Sequence, residues 1–496
     1  MQRLNNWQKN PQITTIGIIG GGMGGLFSGA LLAKIGYRVN VYEKNQIIGG
    51  GLQSFRRDGV FFNPGMHNFG GYDEEWALSH IFRFLGIKEK LHVMPVDEDA
   101  QEIVWTDVKH CYRFPRGRVQ FEKYIVEKFP HEAKGIHMYL DTLYLVANSF
   151  DNFYMKRPSF HPEAAKYVDM KLLQLLHHFL SDEELIKLLC FLSPLCGQTP
   201  SNIPVSLYSM LSVLYLSGEY RFVDNSLQLA NALKDVICSQ GGEVITGTEI
   251  NEIQVSNAHV SNIVATDGRR FTADAYVAAI TPKLVYSMTT EDVARKVTIK
   301  RAETFGVDCS VFSVYIKFRK NSFPFVNSTI YIPIMDDDKR KAPYIVITTP
   351  PVSNQGRWAD TMEILVPVLC DTFDKWTNTI VEHRGEDYDN LKKTMAKEVI
   401  NYVAKYYDIL PSIQNVYTAT PLTIRDYYNN PQGAVFSQMG LYVPFRTRTD
   451  NLYITGQSVL FHGLCGVPLT AILTAESISG HDLMTDIRNI TTECAH

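Results

Sequence analysis

The chain has 496 residues, 45% of them hydrophobic and 20% charged, with a net charge of −4. That length predicts two domains rather than a single core, and the charge balance argues against nucleic acid as a partner. The eight cysteines form no C-x-x-C pair and show no metal-ligand spacing, so they read as reduced, mostly buried thiols of a cytoplasmic protein with no metal site. The polar start "MQRLNNWQKNPQ" lacks a signal-peptide pattern. No window reaches the ~18 uninterrupted apolar residues of a spanning helix.

In chain order, Thr15–Ile19 is a short β-branched apolar run and predicts a buried parallel strand. Glycines follow at once. Leu26 to Ile35 then predicts a helix closed by Gly36, and Arg38 to Tyr42 a second strand. The turn carries G-x-G-x-x-G as Gly20, Gly22 and Gly25, with Met23 and Gly24 inside it. Gly20 permits the tight turn, Gly22 lets a pyrophosphate approach the backbone, and Gly25 lets helix and strand pack closely. The helix N-terminus supplies free N–H groups to the phosphates. Glu43 ends the second strand where a carboxylate accepts hydrogen bonds from a ribose diol and repels a 2′-phosphate. Lys44 and the segment Gly50, Gly51 and Leu52 complete this half of the expected site.

Further along, "RFPRGR" (Arg113–Arg118) is a small basic cluster, read as a solvated surface or a contact for anionic lipid head groups. Met170–Leu192 predicts two amphipathic helices meeting near Ser181, and Val205–Leu216 another apolar helix. Core packing is the common fate of such helices; the functional alternatives are a substrate chamber or a peripheral membrane contact. Ser226–Pro282 predicts a helix, a strand at Val244, a strand at Ile250 to Val255, a hairpin around Asp267-Gly268 and a buried strand at Tyr276 to Ile280. Val244 is expected to join the nucleotide sheet beside the adenine. Ser310–Phe318, Ser328–Met335, Pro343–Pro350 and Met362–Val368 predict an antiparallel sheet.

Near the C-terminus, Leu452 to Thr455 predicts a strand ending at Gly456-Gln457, then a glycine loop, then a helix starting near Val467-Pro468. A second glycine-led strand–loop–helix far from the first suits a two-ended cofactor. Its backbone N–H groups, with Gly466, would lie by the flavin ring.

The segments "IGGGLQSF", "GVFFNPGMHNFGG", "TPLTIRDYYNNPQGAVF" and "LYITGQSVLFHGLCGVP" resemble those of the FAD-dependent amine oxidase and phytoene desaturase superfamily, above all its phytoene desaturase, carotenoid isomerase and retinol saturase branch. Asn63, Gly51 and Asp224-Asn225-Ser226 depart from that pattern, replacing an Asp, a basic residue and a glycine-rich turn. The resemblance implies an α/β protein: a discontinuous Rossmann-like FAD-binding domain (GR2-type) at 1–94, 220–299 and 418–496, and an α+β substrate domain at 95–219 and 300–417, with an antiparallel sheet and helical cover. It implies non-covalent FAD, NAD(P)H as a candidate external reductant, and a hydrophobic polyene or isoprenoid-like substrate whose C=C bonds are desaturated, saturated or isomerised. His67, Arg425, Tyr427 and His462 are the candidate catalytic residues. A flavin amine oxidase acting on C–N bonds is the second reading, and a non-enzymatic FAD-binding interaction or chaperone-like protein the third.

Overall fold

The computed structural model describes residues 10–150, 161–303, 309–334, 342–430, 433–436 and 445–493. Most of the polar N-terminal stretch, Cys494 and part of "NNPQGAVF" lie outside them.

Three distant pieces of chain build one five-stranded sheet, in the order Glu243–Ile245, Arg38–Tyr42, Thr15–Ile19, Ala275–Ala278, Leu452–Ile454. Every pairing in it is parallel. Side chains alternate across a strand, and here they divide two cores. Ile18, Val39, Val41 and Val277 pack against the helices Met23–Lys34, Leu227–Ser239 and Gly463–Ser479. Ile19, Tyr42, Tyr276, Ala278 and Ile454 pack against a three-stranded antiparallel layer, Ile250–Ser256, His259–Ala265 and Arg270–Phe271. Asp274 stitches the N-terminal strand in place by accepting from the N–H and hydroxyl groups of Thr14 and Thr15. Those donors hold its carboxyl at about 2.

The second sheet has seven strands, in the order Ile413–Ala419, Cys309–Phe318, Thr361–Leu369, Tyr344–Thr348, Thr329–Pro333, Glu102–Trp105, Cys111–Phe114. The four strands expected as an antiparallel sheet do pair antiparallel, and one further pairing is of the other kind. Thr329–Pro333 pairs in parallel with Glu102–Trp105, because that partner arrives from a distant part of the chain and not through a hairpin. Helix Glu386–Val403 covers one face. The helices between Arg118 and Ser217 cover the other, where Tyr331, Tyr344 and Val346 join their core.

Two helix starts differ from those read in the sequence. The first helix begins at Met23, not Leu26, since Gly24 and Gly25 take helical backbone. The last glycine-led helix begins at Gly463, which leaves Pro468 inside it. The pair in Met170–Leu192 is found as Leu172–Phe179 and Glu183–Leu188, with Asp182 accepting from the Leu185 N–H at 3.0 Å. The leucines facing inward from these helices, and nearly all of Val205–Ser217, are buried. Arg116 is likewise taken up by Asp73, Glu98 and the Ser217 carbonyl, and Arg118 pairs with Asp141, so little of that basic cluster is free. Among the described residues no helix is long and apolar enough to cross a membrane.

Candidate functional site

The glycine turn is shaped by close backbone approaches. A Cβ on Gly25 would sit 1.9 Å from the Gly20 carbonyl oxygen, and one on Gly24 would sit 3.0 Å from Cα of Gly456. The two glycine-led loops, far apart in sequence, are thus in contact. Together they line one cleft. It runs from Glu43, Lys44, Asn45 and Thr248–Ile250 past Gly20, Gly22, Met23 and Gly24 to Gly456, Gln457, Gly463 and Val467, with Gly50 and Gly51 along its side. A dinucleotide's acid-marked ribose end, its phosphate cradle and a second glycine-rich end occur in that order, so the residues present fit FAD.

Glu43 is buried, and its two carboxylate oxygens accept the N–H groups of Gly21 (2.7 Å) and Asn45 (2.9 Å). It is thereby aimed before any ligand arrives, with lone pairs left for a diol. Lys44 lines the cleft but gives its ammonium to the Asp426 carbonyl at 2.9 Å. Five expected cofactor contacts lie off the cleft wall. Gly25, Gly466 and Pro468 are packing positions inside helices, Leu52 is a core residue, and Val244 pairs with Val41 in the sheet. Thr248, Glu249 and Ile250, just beyond that strand, stand where Val244 was expected. Glu43→Ala should weaken FAD binding by about 1–3 kcal/mol, the cost of charge-assisted bonds left unmade; titration of the apoprotein with FAD, followed by flavin fluorescence, measures it.

A second cavity adjoins this cleft. Gly65, Met66, Val435, Phe436 and Gly463 line both. Its wall comes from the segment Pro64–Gly70, from helix Val205–Ser217 and from Leu365 and Pro367 of the large sheet. No Asp, Glu, Lys or Arg is among its described lining residues, and its titratable groups are His67, His462, Tyr215 and Cys465.

His67 places Nδ1 2.7 Å from Oε2 of Glu363, whose other oxygen accepts the Asn63 N–H at 2.6 Å. Glu363 is fully buried on strand Thr361–Leu369. Facing that carboxylate, Nδ1 is the donor of the pair. His462 also lines the cavity. Its Nε2 is 3.0 Å from the Leu195 carbonyl, and its ring lies 4.4 Å from that of Phe436. The buried Nδ1 has no hydrogen-bond partner among the described residues. Burial pushes the pKa of His462 below the ordinary histidine range, so this ring stays neutral.

The other two candidates lie elsewhere. Arg425 pairs with Asp426 and donates to the Thr377 carbonyl at 2.6 Å. Asp426 in turn holds Arg384. This is an anchor between loop and helix Pro421–Tyr428, away from both cavities. Tyr427 edges the cofactor cleft but is not part of the apolar chamber. Two departures from the family pattern meet each other: Asn63 Oδ1 accepts from the N–H of Ser226 (3.0 Å) and from the hydroxyl of Ser54 (2.7 Å). Asn63 therefore ties its own segment to the start of helix Leu227–Ser239.

Burial lowers the pKa of His80 as well as that of His462. Unfolded, both titrate near 6.5, so below that pH the unfolded chain binds more protons than the folded one. Their stabilising effect is complete above about pH 6.5 and is lost as the pH falls. Thermal unfolding between pH 7.5 and pH 5 should show a declining midpoint, and His80→Gln with His462→Gln should flatten the decline.

Residues 18–85 match the family described as NAD(P)-binding Rossmann-like domain. Over most of its length the chain is similar to the all-trans-retinol 13,14-reductase of Rattus norvegicus, with 25% identity covering 95% of this chain and 86% of that protein. It is similar to the chloroplastic prolycopene isomerase of Daucus carota (21%, covering 93% and 79%) and to the 4,4′-diapophytoene desaturase of Staphylococcus haemolyticus (22%, covering 96% and 99%). In fold it matches an oxidoreductase from Methanosarcina mazei with a TM-score of 0.63 at 17% identity, covering 93% and 100%, and a putrescine oxidase with a TM-score of 0.61 at 13% identity, covering 94% and 98%. With its three-piece nucleotide sheet and paired glycine loops, the chain carries a Rossmann-like nucleotide-binding fold and is similar, over most of its length, to enzymes of the retinol reductase, prolycopene isomerase and diapophytoene desaturase kind.

Proposed function

We propose that this protein is an FAD-dependent oxidoreductase acting on C=C bonds of a hydrophobic polyene. The observation that carries this reading is the apolar chamber, free of acidic and basic side chains among its described lining residues, which meets the glycine-lined cleft at Gly65, Met66, Val435, Phe436 and Gly463. Burying a charged amine there without a partner is costly; a conjugated hydrocarbon loses nothing by entering. The similarity to a reductase, an isomerase and a desaturase of polyenes supports the same substrate class.

Non-covalent FAD held by Gly20, Gly22, Gly24, Glu43 and the Gly456 loop would supply hydride chemistry at the edge of the chamber. The protein's part is to exclude water, orient the polyene between helix Val205–Ser217 and the sheet, and manage one proton. His67 is placed for the last task, with Glu363 orienting the ring through Nδ1 and Nε2 exchanging the proton. His462, neutral and packed at a tilt against the Phe436 ring, positions the loop that joins chamber and cleft.

The test starts from anaerobically reduced protein, with NAD(P)H tried as the external reductant. Candidate polyenes and candidate amines are then added separately. Flavin reoxidation by a polyene with a product heavier by two hydrogens indicates saturation, and an unchanged mass with altered double-bond geometry indicates isomerisation. Reaction of the oxidised protein with a polyene indicates desaturation. If only the oxidised protein reacts, and only with amines, the C–N reading replaces this one.

A further inference from the structure

A third cavity, of about 1030 Å³, lies beside these sites. It lies between helix Glu386–Val403, strand Ile413–Ala419 and helix Pro421–Tyr428. It meets the cofactor cleft at Tyr427 and Tyr428 and the apolar chamber at Pro64. Large apolar side chains are rarely left in water together. Yet Ile47 (49% exposed), Leu410 (50%), Val416 (37%) and Tyr427 (48%) all line this one cavity. Lys393 and Lys397, four residues apart and so neighbours on the helix, line its helical side together with Lys392. Among the described residues none of these lysines is in an ion pair, and Asp389 is the single acid in the lining. The Lys392 ammonium lies 5.1 Å from the centre of the Tyr388 ring.

We infer that this cleft binds a single long-chain amphiphile with an anionic head, its tail along Ile47, Leu410 and Val416 and its head against the three lysines. The volume suits a long-chain molecule and is far larger than an inorganic anion needs. The exposed apolar floor calls for a tail, and the excess of cations over Asp389 calls for a negative head. The inference stands apart from the C=C reading, since a saturated amphiphile satisfies it.

The test is calorimetric titration of the FAD-reconstituted protein with octanoate, decanoate and dodecanoate below their micellar concentrations. Affinity should rise several-fold with each two-carbon extension, as apolar contact grows, and dodecan-1-ol should bind more weakly than dodecanoate. The double variant Lys392→Glu/Lys397→Glu should weaken dodecanoate by about fivefold or more, with bound flavin absorbance unchanged, whereas Lys405→Glu on the same segment should not. In the unaltered protein, absence of saturable heat, absence of chain-length dependence, or equal binding of alcohol and carboxylate overturns the inference. So does a protein that ignores dodecanoate but sediments with phosphatidylglycerol vesicles through the same lysines, which would make the cleft a membrane surface. Lysine-dependent binding of NADPH without binding of dodecanoate also overturns it, assigning the cleft to a dinucleotide.

Discussion

Arg221→Met should destabilise the protein by about 3–5 kcal/mol at neutral pH, the usual cost of stranding a buried charge. Arg221 is fully buried on strand Glu219–Phe222. Its guanidinium donates to the Thr329 hydroxyl at 3.2 Å and to the Thr349 carbonyl at 3.4 Å. Burial lowers its pKa to about 10, with the nearby charges of Glu219 and Glu363 opposing the shift, so it remains cationic at neutral pH. Glu219 accepts from Asn68 and from the Thr329 hydroxyl at 3.1 Å, and Glu102 lies beside it. Burial, followed by the charge of Glu219, pushes Glu102 well above the usual carboxylate range, so it is neutral and Glu219 is the anion that Arg221 balances. Methionine keeps the stem's volume and removes the cation, which forces Glu219 to take up a proton. A carboxyl with a raised folded pKa stabilises below its unfolded pKa and loses that contribution as the pH rises. The variant should therefore lose more stability at pH 8 than at pH 5. Urea unfolding at both values checks this, and equal losses would mean that packing alone sets the cost. The network also matters to the site: Asn68 is the neighbour of His67 and lines the same chamber.

His67→Gln should lower turnover of a polyene by the reduced protein by about 10²–10⁴-fold while leaving FAD bound, the range for loss of a positioned acid or base. Glutamine keeps a polar group near Glu363 but cannot exchange a proton. If the reaction is saturation, a proton must be delivered with the hydride, and single-turnover reoxidation of the flavin should slow accordingly. Product formed in D₂O by the unaltered protein should carry one deuterium from solvent. If the reaction is isomerisation, no net proton is delivered and the rate should barely change. His462→Gln, at a ring already neutral, should cost far less. A rate unaffected by His67→Gln alongside a confirmed saturated product would remove His67 from the proton path.

The comparison of sequence with structure divides along a physical line. Local chemistry was legible from residues alone. Thr15–Ile19, the glycines after it and Glu43 form a unit of about thirty residues in which every choice serves one turn, as short βαβ motifs do. The leucine pattern likewise announced Leu172–Phe179 and Glu183–Leu188, and the alternating strands announced most of the large sheet. What could not be read were the meetings of residues far apart in the chain. Glu363 appears in sequence as one acid within an apolar strand, and only folding sets it against His67, 296 positions away. Gly24 against Gly456, and Asn63 against Ser226, are contacts of the same kind. Whether an apolar helix becomes core, chamber wall or membrane face was equally closed to the sequence, since hydrophobicity is non-directional and burial depends on what packs against it. Val205–Ser217 became chamber wall because the large sheet and the segment Pro64–Gly70 came to lie beside it. The sequence by itself determined a strand–glycine turn–helix–strand unit ending at Glu43 and a second glycine-led strand–loop–helix far from it in the chain. Only the tertiary structure decided which histidine gained a carboxylate, which arginine became an anchor, and where apolar surface stayed open to solvent, because each of these is a matter of distance through space rather than along the chain.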